Sequence, residues 1–216
     1  MSTLLIRLIA PMQSWGIQSH FTVRDTGCEP SKSGVIGILC AALGRPRSAP
    51  LTDLVALKMG VRVDREGVMM HEFQIAQDVL VANGSGLKRS ETSARYYLSD
   101  AAFLVGLQGE MQLLESLQLA LQRPHWTIYL GRKAFVPSAP IWLPDGLRLG
   151  KKLKSALEGY PPLVSPYGNP MRLVLEDLNG EQTKQDVPVS FAERRFSVRC
   201  VKTSFVSISP NDMEGE

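Results

Sequence analysis

Residues 30–44 read PSKSGVIGILCAALG, and this stretch decides how the first half of the chain folds. Ser31 or Ser33 offers a hydroxyl that can cap a helix N-terminus, and Gly44 can adopt the left-handed conformation that ends a helix. The body between them is almost continuously apolar, which predicts a buried helix. Gly34 and Gly37 weaken its helix propensity, a cost that makes sense where another group approaches the backbone closely. Upstream, TLLIRLIA (3–10) is a short apolar run interrupted by Arg7 and closed by Pro11, which suits a buried strand.

Downstream, 55–64 and 71–81 alternate around the turn-like Asp64-Arg65-Glu66-Gly67 and read as two strands. ANGSGLKRSETSAR (82–95) is Gly-, Ser- and charge-rich, so an exposed excursion is expected there. YYLSDAAFLVGL (96–107) returns to a strand pattern. EMQLLESLQLALQ (110–122) places Leu113, Leu114, Leu117 and Leu121 on one helical stripe, with Pro124 ending it. WTIYLG (126–131) reads as a further strand. Strand, helix, strands, helix, strand is the order of an α+β, ferredoxin-like domain with a hairpin insertion.

The boundary is expected near residue 136. Residues 1–136 form the first domain, with the hairpin at about 71–107, and 137–216 form a smaller C-terminal β-rich part completing the fold. That part is less regular, carrying Pro137, Pro140, Pro144, Pro161, Pro162, Pro166, Pro170 and Pro188, and a hairpin is expected around Asn179-Gly180. Its last run, FSVRCV (196–201), alternates Phe196, Val198 and Cys200 against Arg195, Ser197 and Arg199, predicting an apolar face opposite a basic one.

The chain has 216 residues, 44% of them hydrophobic and 21% charged, which describes a foldable globular protein. A net charge of +3 permits a nucleic-acid partner without requiring one, and the acidic Asp212, Glu214 and Glu216 sit in the tail. Cys28, Cys40 and Cys200 are widely spaced, as expected of reduced thiols in a cytoplasmic protein. No secretory signal pattern opens the chain, and no stretch approaches the roughly 20 apolar residues of a membrane helix. His20, His71 and His125 are isolated, so no metal site or cofactor is expected. HExxH, Walker A and GxSxG motifs are absent from the sequence.

The coherent signal is basic. Lys88, Arg89 and Arg95 precede Tyr96 and Tyr97, and cations beside aromatics suit single-stranded nucleic acid, whose phosphates seek charge and whose bases seek flat faces. Arg132 and Lys133 follow a glycine, and further clusters lie at Arg148, Lys151, Lys152 and Lys154 and at Arg194, Arg195 and Arg199. A solvated helix face explains the lysine cluster equally well, and ion pairing within the fold is a rival for Arg195 and Arg199. Trp15 beside Gly16 reads as core packing, while Gln13, Arg24, Lys32 and Ser33 flank the helix start, where backbone N–H groups can receive a phosphate. A metal-independent ribonuclease could be assembled from His20, His71, Tyr96, Tyr97 and Lys88, but no spacing among them is diagnostic.

LIRLIAPMQSWG (5–16), PSKSGVIGILCAALG (30–44), RYYLSDAAFLVGLQG (95–109) and YLGRKAFVPSAPI (129–141), taken in order, resemble the family-five, CasD-type RAMP subunits of type I-E CRISPR Cascade complexes. The resemblance implies an RRM-related RAMP domain with a thumb-like hairpin, and a non-catalytic subunit that binds the 5′ handle of CRISPR RNA. It also implies CasC-type backbone subunits, capped at one end, and a CasA-type large subunit as partners, with target DNA bound by the assembled complex. On this likeness the excursion is the thumb. Lys88, Arg89 and Arg95 then contact RNA or a neighbouring subunit, and Arg24, Lys32, Arg132 and Lys133 hold handle phosphates, with Gln13, Ser33 and Tyr97 beside them. Related type I-C subunits are themselves nucleases using tyrosine and an adjacent lysine and histidine; this sequence has no Lys-His dipeptide. A purely structural RAMP-like assembly protein, its basic clusters paired with acidic subunits, is a further reading.

Overall fold

The computed structural model describes residues 1–16, 22–165 and 170–207. His20, Pro166 and the acidic tail therefore lie outside the described residues. Its elements run β1 (Ser2–Ile9), β2 (Met12–Gln13), β3 (Val23–Arg24), α1 (Lys32–Leu43), α2 (Thr52–Val55), β4 (Lys58–Arg65), β5 (Val68–Leu80), β6 (Leu87–Ser99), β7 (Ala102–Gly109), α3 (Met111–Gln122), β8 (Trp142–Arg148), α4 (Leu153–Glu158), β9 (Met171–Glu176), β10 (Gln182–Ser190) and β11 (Arg195–Val206).

The chain is mixed α+β, built on a seven-stranded antiparallel sheet in the order β10-β11-β9-β4-β7-β1-β8. Alternation along the central strands sends Leu4, Ile6, Leu8, Met59, Val61, Phe103 and Val105 to one face, where α1 and α3 cover them. Leu5, Leu104 and Leu173 point to the other face, beneath Leu153 and Leu157 of α4. Gly60 and Gly106 let α4 lie close, since a Cβ at either would stand 2.7–2.8 Å from its leucines. Arg62 and Asp64 are buried on this same face as a bidentate pair, with Nε to Oδ1 at 2.7 Å and Nη2 to Oδ2 at 2.9 Å. Arg62 also donates to the carbonyls of Leu157, Tyr160 and Pro161, which fixes the end of α4 to the sheet.

The helix at 30–44 forms as its sequence predicts. Ser31 Oγ accepts from the Gly34 amide at 3.2 Å, and Gly44 ends the helix at φ 70°. Gly34 is small because Trp15 lies on it; a Cβ there would stand 2.9 Å from Trp15 Cε3.

Several expectations are corrected. Residues 87–95 are not an irregular excursion: they form most of β6, which pairs with β5 from Val68↔Ser99 to Leu80↔Leu87, leaving only a short turn at the tip. The 96–107 run is two strands, broken where Asp100 turns left-handed at φ 56° and its amide bonds Pro11 O. WTIYLG is not a strand. Its ends are instead held by loop contacts, with the Trp126 amide on Ala41 O and the Ser14 amide on Leu130 O. The edge position goes to β8, where Pro144 is tolerated because an edge strand does not need every amide paired. Asn179-Gly180 joins β9 to β10, but these strands do not pair, because β11 lies between them. FSVRCV is a strand with its faces reversed from expectation at Val198 and Arg199: Val198 is exposed, and Arg199 is buried on Asp186.

Candidate RNA-binding cleft

β6 carries β5 along one edge and the short β2 and β3 along the other. Register then sets Arg24 beside Arg95 and Arg95 beside Glu72, a row of charges across three strands on one face of the hairpin base. Arg132 reaches this row from the loop after WTIYLG. Its Nη1 donates to Glu72 Oε1 at 3.0 Å, its Nη2 to Tyr96 O at 2.7 Å, and its guanidinium lies 5.2 Å from the Phe135 ring centroid. Gly131, at φ 99°, makes this approach possible; a Cβ there would stand 2.0 Å from Ser14 O.

The row opens onto a cleft of about 690 Å³ between the hairpin base and α1. Arg24, Arg47, Arg95 and Arg132 line it together with Trp15, Tyr129, Phe191 and Phe196, and Asp25 is the carboxylate among its lining residues. Burial pushes Arg132 below the usual arginine range; neighbouring Glu72 opposes that shift, and the like charges of Arg95 and Arg24 add to it. The three guanidiniums thus sit close enough to repel, and an anion placed among them would relieve that repulsion.

The expected residues divide. Arg24, Ser33, Arg95 and Arg132 come together on the cleft. Tyr97 packs its ring 5.8 Å from Phe135 behind Arg132, and Lys133 is exposed on the same loop. Lys88 and Arg89 are exposed near the hairpin tip, where Lys88 pairs with Glu91. Gln13 and Lys32 instead lie buried, off the cleft surface. Gln13 is 0% exposed and donates to Leu8 O and Ala101 O, so it braces the chain between β1 and β7. Lys32 is 3% exposed, with Nζ held at 3.0–3.1 Å by Glu176. Burial lowers its pKa, which Glu176 partly opposes. Its backbone amide donates to Asp186 Oδ2 at 2.8 Å, so a carboxylate of the chain itself takes up the Lys32 amide at the start of α1.

Arg47, Tyr129 and Phe191 are not singled out by the sequence, and Phe196 is read there only as part of a strand's apolar face. The first follows the helix C-cap and the last two flank a turn, and only the tertiary fold brings them to one cleft. Of the remaining clusters, Arg148 pairs with Asp145 and Lys154 with Glu158. Among the described residues the possible nuclease groups do not all come together, and His20 lies outside them. His71 stacks on Tyr96 at 4.7 Å, whereas Lys88 lies eight residues along β6, roughly 26 Å away at strand rise. Among the described residues no helix is long and apolar enough to cross a membrane.

The model of the CRISPR-associated Cas5 protein family matches residues 3–202. The chain is 30% identical over 217 positions to the Cascade subunit CasD of the CRISPR system of Escherichia coli (strain K12), covering 92% of this chain and 93% of that protein. A solved crystal structure of a Cas protein is 48% identical, covers 95% of both chains and superposes with a TM-score of 0.79. A chain of a CRISPR RNA-guided surveillance complex is 33% identical, covers 97% of this chain and 92% of its own, and gives 0.81.

Proposed function

Because the chain belongs to the Cas5 family of CRISPR-associated proteins, we propose that it is a non-catalytic subunit of a Cascade-type surveillance complex whose arginine cleft holds the 5′ handle of CRISPR RNA. The observation that carries this reading is the convergence of Arg24, Arg95 and Arg132 beside aromatic side chains. Phosphates would sit among the guanidiniums, and unpaired bases against the rings of the opposite wall. Lys133, exposed on the Arg132 loop, and Arg89 towards the hairpin tip extend the basic track, while Lys88 would meet RNA or a neighbouring subunit from the other face of the hairpin.

The strand order β8-β1-β7-β4, with α1 and α3 on one face, supports a ferredoxin-like, RRM-related RAMP unit spanning about 1–136 with β8 added from the C-terminal part. The β5–β6 hairpin, roughly 40 Å long at strand rise, is then its thumb. Met69, Phe73 and Ile75 lie exposed on the hairpin face opposite the arginine row. That apolar stripe is suited to covering by a CasC-type backbone subunit, which this chain would cap, leaving the body of the fold for a CasA-type large subunit and for target DNA in the assembled complex. A type I-C-like nuclease is disfavoured by the separation of Lys88 from His71 and Tyr96.

Nuclease footprinting of the reconstituted complex tests the reading. The repeat-derived handle is expected to be protected, with protection weakening as salt rises because phosphate contacts release counterions. An unprotected handle, or protection indifferent to salt, would contradict it.

A further inference from the structure

We propose that Asp186 is a positioning residue of the arginine cleft: it holds the β10–β11 turn against α1, so that Phe191 and Phe196 stand as the cleft's outer wall. The proposal rests on the RNA-binding reading above.

Asp186 is 1% exposed and fully engaged. Its Oδ2 accepts from the Lys32 amide at 2.8 Å and from Arg199 Nη2 at 2.9 Å, while its Oδ1 accepts from Arg199 Nε at 2.7 Å. The carboxylate therefore joins two elements, the N-terminal end of α1 and the paired strand β11, at an irregularity in the β10–β11 ladder between Lys184 and Val187. Arg199 also lies 3.7 Å from Glu176, which holds Lys32 Nζ. Two acids and two bases thus form a neutral group, buried except for the partly exposed Glu176, the condition under which buried charge is tolerated.

What this group positions is the turn a few residues on. Phe191 packs beside Gly37, its Cζ 4.0 Å from where a Cβ would stand, and its carbonyl accepts from Arg47 Nη2 at 3.1 Å. The Arg47 contact is exposed and competes with water, so by itself it holds the tip loosely. The Asp186 contact is buried and charge-assisted, and it ties β10 to the start of α1 a few residues before the turn.

A double-mutant cycle tests the proposal. The full chain is titrated with 5′-labelled single-stranded RNA of the repeat-derived handle, comparing Asp186→Asn in the parent and in a Phe191→Ala background, with folding followed by circular dichroism. Residues acting through one another couple, so Asp186→Asn is expected to weaken binding about 3- to 10-fold in the parent and less than about twofold beside Phe191→Ala. If Asp186→Asn fails to fold, Asp186→Ala combined with Arg199→Leu removes both buried charges together and serves in its place. An equal loss in both backgrounds, or no loss in a folded variant, overturns the proposal. Arg95→Ala separates the two layers. If it abolishes binding while the cycle shows no coupling, the cleft stands and the positioning role fails; if it leaves binding intact, both fail.

Discussion

Arg62 concentrates more of the structure than any exposed cation. It is fully buried, forms a bidentate pair with Asp64 and donates to three carbonyls at the end of α4. Arg62→Leu would leave Asp64 buried with, among the described residues, the Leu163 amide as its remaining partner, so a loss of about 3–5 kcal/mol is expected in urea denaturation. Arg62→Leu with Asp64→Leu should lose less, because neither charge is left alone. Tyr160 gives a pH signature. Burial, then its hydrogen bond to Asp145, pushes its phenol up to about 12. The folded state therefore keeps a proton that the unfolded chain releases near pH 10, and stability should fall as pH rises from about 10 towards 12. In Tyr160→Phe that part of the decline should be missing, as read from denaturation midpoints at about pH 9 and about pH 11.

At the scale of elements, alternation along the β5–β6 hairpin sets Glu72 and Arg95 on the cleft face and Met69, Phe73 and Ile75 on the other. Phe73→Asp with Ile75→Asp changes exposed positions only, so the isolated chain should keep its stability within about 0.5 kcal/mol. Its co-purification with backbone subunits should be lost; normal co-assembly would show that this face is not the contact. The hairpin also marks where sequence reading succeeds and stops. β1, α1 and α3 were legible because each carries its own apolar period and its own stop signal, Pro11, Gly44 and Pro124. β6 was not, because its first half exposes polar side chains on a strand with no core beneath it, so no alternation is written there. WTIYLG misled for the opposite reason: it has strand composition, but its backbone groups are taken by loop contacts with α1 and Ser14.

The whole molecule explains the rest of the difference. Arg24, Arg95 and Arg132 were legible as cations, but their meeting depends on a parallel bridge between β3 and β6 and on a loop held by Glu72. Lys32 looked like a phosphate ligand because its partner Glu176 stands 144 residues away in the chain. A similar long-range network sets Asp186 on the Lys32 amide at the start of α1. The central claim, that this cleft holds the RNA, is tested most directly by footprinting the handle in complexes carrying Arg24→Ala, Arg95→Ala and Arg132→Ala together. Loss of handle protection in a complex that otherwise assembles is the predicted result; protection equal to that of the parent complex would contradict it.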